Sequence, residues 1–125
     1  MTTRRSEPFR YTMTTPLPCW FEIREINGLP VHSKLAEVEL LDISKSGCRV
    51  QSKLDFRASN NQIQATVHAR LYEELHLFPG SIRWQKECED SVFHYGLSLE
   101  LTEEMKERLN VELRSLAAAR RIVVL

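Results

Sequence analysis

The segment from Val38 to Val50, reading VELLDISKSGCRV, constrains the fold most, because it joins two apolar runs through a short polar connection. That connection contains Asp42, Ser44 and Gly47, spaced as Asp-x-Ser-x-x-Gly. Asp and Ser side chains hydrogen-bond their own backbone in turns, and Gly adopts positive φ at no steric cost. The segment therefore predicts two antiparallel strands joined by a tight turn.

Several other short segments alternate apolar residues with polar ones, which is the period of a half-buried strand. Turn signals, among them Asn27-Gly28 and Pro79-Gly80, separate these segments. Repeated short strands of this kind predict a mainly β fold, either a small antiparallel barrel or a sandwich. The segments are Cys19–Ile26, Ile63–Leu71, Ser81–Trp84 and Val92–Leu99.

The last quarter of the chain changes to a helical period. Thr102 suits a helix N-cap, and apolar residues such as Leu109 and Leu113 then recur at helical spacing. This pattern predicts a helix over residues 102–121 that packs on the β body. The apolar end, Ile122–Leu125, is predicted to dock either on that body or on a partner.

The first fifteen residues are polar and lack any periodicity, so they are predicted to form a flexible arm. This arm carries Arg4, Arg5 and Arg10. A chain of 125 residues can bury one core of its own. The predicted division of this single domain is an arm at 1–15, a β body at 16–101 and a helix at 102–121.

Composition and spacing exclude several classes of function. Seventeen basic and seventeen acidic residues give no formal net charge, which argues against broad binding to DNA. No apolar run is long enough to insert into a membrane, and no histidines or cysteines show metal-ligand spacing. No nucleophile is accompanied by a base, so an enzyme is not expected. Three cysteines without a CxxC pair and no signal peptide predict a cytoplasmic protein with reduced thiols.

The arginine-rich arm, the turn motif of residues 42–47, Arg83-Trp84, the segment Tyr95–Leu99 and a terminal helix follow in this order. In motif and element order, the chain resembles the PilZ domain over nearly its whole length. That family is a bacterial receptor module for the second messenger cyclic di-GMP. The resemblance implies a six-stranded antiparallel barrel with a C-terminal α-helix, which binds this dinucleotide on its outer surface. It implies a ligand and no cofactor.

The resemblance also implies which residues bind the ligand. Asp42, Ser44 and Gly47 match the turn motif of the family, and Arg10 with either Arg4 or Arg5 matches the paired arginines of its arm. Arginine can form a fork onto phosphate or donate to guanine O6 and N7, whereas aspartate accepts from guanine N1 and N2. A serine hydroxyl and a close backbone approach at glycine complete this set.

The spacing of the arm differs from the family pattern, which has three residues between the paired arginines. Here four residues separate Arg5 from Arg10, and five separate Arg4 from Arg10. In an extended arm, an offset of six residues keeps two side chains on one face, whereas an offset of five does not. A kink at Pro8 would correct either spacing, so Arg4 and Arg5 remain interchangeable candidates.

The function implied is a receptor whose arm orders over cyclic di-GMP and which then signals to an unidentified protein partner. The alternative is an adaptor of the same fold, which binds a protein through its barrel and the helix bearing Leu109 and Leu113, without nucleotide. The sequence leaves open whether one or two ligand molecules bind, and whether the protein is a monomer or a dimer.

Overall fold

The structure, a computed structural model, describes residues 9–124. Eight strands and one helix form this part of the chain, with a short 3-10 turn at Glu89–Ser91. In chain order they are β1 (Tyr11–Ile26), β2 (Leu29–Pro30), β3 (Ala36–Ile43), β4 (Gly47–Ser52), β5 (Ile63–Arg70), β6 (Leu75–Glu87), β7 (Phe93–Leu99), α1 (Glu103–Ala118) and β8 (Ile122–Val124).

Six of these strands close into an antiparallel barrel. Neighbours pair in the order β1–β3–β4–β7–β6–β5, and β5 pairs back to β1. Closure is possible because β1 is sixteen residues long and serves two neighbours: its first part pairs with β3, and the part from Trp20 onward pairs with β5. The barrel confirms the predicted mainly β fold with a C-terminal helix, and decides between the barrel and the sandwich. Closure also removes the free edges that an open sheet would expose.

The barrel core follows the alternation seen in the sequence. Ile63, Ala65, Val67 and Ala69 of β5 are all buried, whereas Gln64 between them is exposed. The largest buried side chain, Tyr95 of β7, donates its hydroxyl hydrogen to the carbonyl of Leu54 and accepts from the amide of Phe56. The phenol therefore ties the long loop after β4 to the core without leaving its polar atom unpaired.

The helix closes one side of the barrel as the sequence predicts. Thr102 caps α1 by accepting a hydrogen bond from the amide of Met105, and Leu109, Leu113 and Leu116 are buried. After the helix, β8 pairs with the start of β1, with Met13 opposite Ile122. Residues 122–124 therefore dock on the body of their own chain, which is one of the two predicted alternatives, and Leu125 lies outside the described residues.

Three details differ from the sequence-based prediction. The helix ends at Ala118 rather than at residue 121, because the chain turns at Arg120, which has a positive φ of 58°, before β8 begins. The first strand begins at Tyr11, so residues 11–15 belong to the barrel and the arm ends before them. Pairing of β1 with β3 on one side and β8 on the other stabilises this extension, which apolar alternation does not reveal.

The predicted turn at Pro79-Gly80 is wrong, because both residues lie inside β6. Pro79 lacks an amide hydrogen but accepts from the amide of Glu100, and an atom larger than hydrogen on Gly80 would overlap the Ser98 carbonyl.

The three cysteines are free, and we expect iodoacetamide to alkylate only Cys88 in the folded protein. Burial raises the pKa of the Cys19 thiol to about 12, and burial likewise raises that of Cys48. Because the thiolate is the reactive form, both thiols should stay unmodified at neutral pH, whereas half-buried Cys88 is accessible. Mass spectrometry of tryptic peptides checks this, with denatured protein as the fully labelled control. Alkylation of Cys48 as fast as Cys88 would contradict the described packing.

Candidate functional site

The turn between β3 and β4 is organised by Ser44, which is almost completely buried. Its Oγ accepts from the amides of Ser46 and Gly47, both at 3.2 Å, and its own amide donates to the Gly47 carbonyl at 2.8 Å. A Cβ on Gly47 would lie 2.6 Å from the Leu97 carbonyl oxygen. Ser44 is therefore required for the turn and Gly47 for its packing on β7, independently of any ligand.

Asp42 occupies the last outward position of β3, and a β-bulge places it there. The pairing of β3 with β4 shifts register between Leu40 and Asp42. Leu40 and Ile43 both remain in the core, and Asp42 comes opposite Arg49, on the outer face of the barrel. Leu41 is the extra residue of this bulge, since it has no partner on β4 in this pairing. Such bulges commonly redirect a side chain at a functional site.

Two arginines cover the Asp42 carboxylate, which is only 2% exposed. Arg49 donates from Nε to Oδ2 at 3.0 Å, whereas the Nη1 of Arg10 lies 3.7 Å from Oδ1, beyond hydrogen-bond distance. None of the residues from 9 to 124 donates a hydrogen bond to Oδ1, and the hydroxyl of Thr12, opposite Asp42 on β1, is also buried without one. Two buried polar atoms on paired residues, Oγ1 of Thr12 and Oδ1 of Asp42, thus lack hydrogen-bond partners within the described chain.

A row of cross-strand neighbours extends from Asp42 around the outside of the barrel. Asp42 faces Arg49, Arg49 faces Gly96 of β7, and Gly96 faces Trp84 of β6. The indole of Trp84 lies so close over Gly96 that a Cβ there would overlap it. A second bulge, between Ile82 and Trp84, leaves two consecutive side chains, Arg83 and Trp84, exposed on this surface. Glycine and the bulge together therefore create an exposed indole next to an arginine.

These residues line a shallow cleft of about 200 Å³ on the outer face of β4, β7 and β6. The cleft is smaller than the roughly 300–1,000 Å³ typical of pockets for small molecules, so a dinucleotide would lie across the surface rather than inside it. Among residues 9–124, its lining contains three arginines and no carboxylate. The residues are Arg10, Ser44, Ser46, Gly47, Cys48, Arg49, Arg83, Trp84, Gly96, Leu97 and Ser98.

The local charge is positive enough to affect a neighbouring side chain. Burial lowers the pKa of His94, next to the cleft on β7, and the positive charges of Arg49 and Lys86 lower it further. The buried carboxylate of Asp42 is the only acidic group that forms an ion pair with the cleft arginines among the described residues. An anionic ligand therefore fits the electrostatics of this surface.

The cleft brings together most of the predicted site. Arg10, Ser44 and Gly47 line it, and Asp42 lies directly beneath Arg10 and Arg49. Arg4 and Arg5 lie outside the described residues. The sequence did not single out Arg49, Arg83 or Trp84 as ligand residues, although a glycine at position 96 in an alternating strand is a signal of close approach by another group.

No group of three or more His, Cys, Asp or Glu side chains in residues 9–124 could hold a metal ion. None of the helices in this range is long and apolar enough to span a membrane.

The fold and the cleft define a class of protein: a small β-barrel module with an arginine-lined outer surface. A family model described as PilZ domain matches residues 3–115, and the chain belongs to the PilZ domain family. A comparison with curated proteins gives no match. PilZ domains act as binding or adaptor modules rather than enzymes, and they bind cyclic di-GMP as a ligand rather than as a cofactor.

Proposed function

We propose that this domain binds cyclic di-GMP on the arginine-lined cleft and signals the bound state to a protein partner. The observation that carries the proposal is the Asp42 carboxylate, whose Oδ1 is buried without a hydrogen-bond donor from the described residues. A buried charged acceptor without a donor is costly, and native structures rarely retain one without a functional reason. Guanine N1 and N2 are donors suited to this atom.

The remaining groups of the cleft suit the rest of the ligand. The Arg10 side chain is half exposed, and its Nη1 lies 3.7 Å from Oδ1 of Asp42 without a hydrogen bond. It can therefore turn toward a phosphate at little cost. The exposed indole of Trp84 offers a flat surface on which a purine can stack. Arg4 and Arg5 precede Arg10 on the arm and would add further contacts with the phosphates as the arm orders over the ligand, at an entropic cost.

Isothermal titration of the whole chain with cyclic di-GMP tests the proposal. We expect micromolar or tighter binding by the wild type, and at least a tenfold loss (about 1.4 kcal/mol) in Arg10→Ala and Asp42→Ala. Arg24→Ala is the matched control, because Arg24 is exposed on β1 and does not line the cleft. The fitted stoichiometry gives the number of ligand molecules. Unchanged affinity in Arg10→Ala would contradict the assignment of the site.

One observation favours the alternative function, an adaptor that binds protein without nucleotide. Arg49 already neutralises Asp42 through a 3.0 Å hydrogen bond, so the buried charge is compensated within the chain.

The partner surface predicted for the adaptor differs from the structure. Leu109 and Leu113 of α1 are buried against the barrel, so neither side chain can supply that surface. The absence of heat and of any thermal shift with folded protein at high ligand concentration would support the adaptor.

A further inference from the structure

Arg49 does not belong to the turn motif or to the arm, yet its position resembles that of a ligand residue. It alternates with the buried Cys48 and Val50 on β4, so its side chain points outward into the cleft. The cross-strand partner of Arg49 on β7 is Gly96, which has no side chain that could shield the guanidinium. The Arg49 side chain remains 38% exposed.

The hydrogen bond to Asp42 uses only part of the Arg49 guanidinium. Nε donates to the Asp42 carboxylate at 3.0 Å, and none of the described residues accepts a hydrogen bond from the two terminal nitrogens. A guanidinium carries five N–H donors, so four remain for another acceptor. Because the Asp42 carboxylate is buried, it fixes the orientation of the guanidinium before any ligand arrives, which lowers the entropic cost of binding.

The neighbours of Arg49 indicate what that acceptor is. Arg10 and Arg83 line the same cleft, none of the described carboxylates lines it, and the Trp84 indole covers the adjacent Gly96. Three guanidinium groups around one shallow surface match a doubly anionic ligand better than an uncharged base. The flat indole offers the surface for a base, and the arginines offer the surface for the phosphates.

We propose that Arg49 binds a phosphate of the dinucleotide, and that Asp42 acts as its positioning residue by holding Nε. The inference rests on the proposed function of the cleft. It assigns Asp42 two roles at separate atoms: Oδ2 orients Arg49, and Oδ1 accepts from the guanine.

Two substitutions of Arg49 separate ligand binding from the structural role of its pair with Asp42. Arg49→Gln removes the charge and should weaken cyclic di-GMP binding by about 10- to 100-fold, the loss expected for a charge-assisted hydrogen bond. Arg49→Lys keeps one cation for Asp42 but has a single nitrogen, so it should fold with a near-normal Tm and still bind at least about tenfold more weakly. Arg24→Gln is the matched control for the change in charge.

Titrations at low and high salt distinguish a phosphate contact from a base contact. Loss of a phosphate contact should reduce the dependence of log Kd on log salt in Arg49→Gln, which removes the charge, because charge–charge interactions are screened by salt. Arg49→Lys keeps the charge and should therefore keep nearly the wild-type salt dependence. An unchanged salt dependence in Arg49→Gln, or wild-type affinity in folded Arg49→Lys, would overturn the inference while leaving the proposed function intact. No binding by the wild-type protein would overturn both.

Discussion

Replacing Glu112 with alanine is expected to lower the free energy of unfolding by about 3 kcal/mol at neutral pH, which is a large part of the stability of a small domain. Glu112 is a charged residue on the buried face of α1, only 5% exposed. Its Oε1 accepts from the amides of Tyr72 at 3.2 Å, Glu73 at 3.1 Å and Glu74 at 2.9 Å, and from Nε2 of His76 at 3.2 Å. Truncation leaves these four donors without their acceptor at the contact between helix and barrel.

The same contacts predict how stability depends on pH. Burial raises the pKa of Glu112, but the hydrogen bonds from the Glu74 amide, the His76 ring and the Tyr72 and Glu73 amides together outweigh it, so the pKa lies below its ordinary value of 4.5. A carboxyl group with a lowered folded-state pKa stabilises the fold above its unfolded-state pKa, and this contribution is lost as pH falls through the folded-state value. The loss should therefore occur below pH 4.5.

Urea unfolding at neutral and acidic pH measures both effects. Glu112→Gln preserves an oxygen for the four donors, so it should lose less than half as much stability as the alanine variant. It should still lose some stability, because neutral hydrogen bonds are weaker than charged ones. Glu107→Ala, an exposed glutamate of the same helix, is the control and should stay within about 0.5 kcal/mol of wild type. A cost below about 1 kcal/mol for Glu112→Ala would show that the helix docks without this contact.

Local sequence pattern was sufficient for the elements that a single strand or helix defines. The alternation at Ile63 and Val67 marks the inward face of β5, and the spacing of Leu109 and Leu113 marks the buried face of α1. Thr102 caps the helix as predicted. Each of these depends on periodicity or on a hydrogen bond between residues three positions apart, which the sequence shows directly.

What the sequence could not show depends on pairing between distant strands. Arg49 and Trp84 approach each other because both flank Gly96, and Arg83 is exposed because β6 contains a bulge. Glu112 occupies the apolar face of α1, three residues after Leu109, where a charge requires partners that the loop before β6 and His76 of β6 provide. The turn motif is predictable because it is local, whereas the arginine-lined cleft around it is a product of the barrel.

Two glycine-to-alanine substitutions should differ in their effect on stability, because backbone lies against one glycine and a side chain lies against the other. At Gly80 the new Cβ would overlap the backbone carbonyl of Ser98 on β7, which cannot move without breaking the strand pairing. At Gly96 it would overlap the indole of Trp84, a side chain 45% exposed that can rotate away into solvent. Gly80→Ala should therefore lower the free energy of unfolding by about 3 kcal/mol, whereas Gly96→Ala should preserve the fold and displace the indole.

Because a displaced indole no longer flanks Arg49, Gly96→Ala should weaken cyclic di-GMP binding by about tenfold, the value of one base stacked on an aromatic ring. Tryptophan fluorescence of Gly96→Ala in a Trp20→Phe background, which leaves Trp84 as the sole tryptophan, reports the displacement. Trp84→Ala serves as the matched variant: it should bind as weakly as Gly96→Ala, since both remove the same surface. Full affinity in a folded Gly96→Ala protein with a displaced indole would mean that the arginines alone hold the ligand and that the indole only covers the glycine.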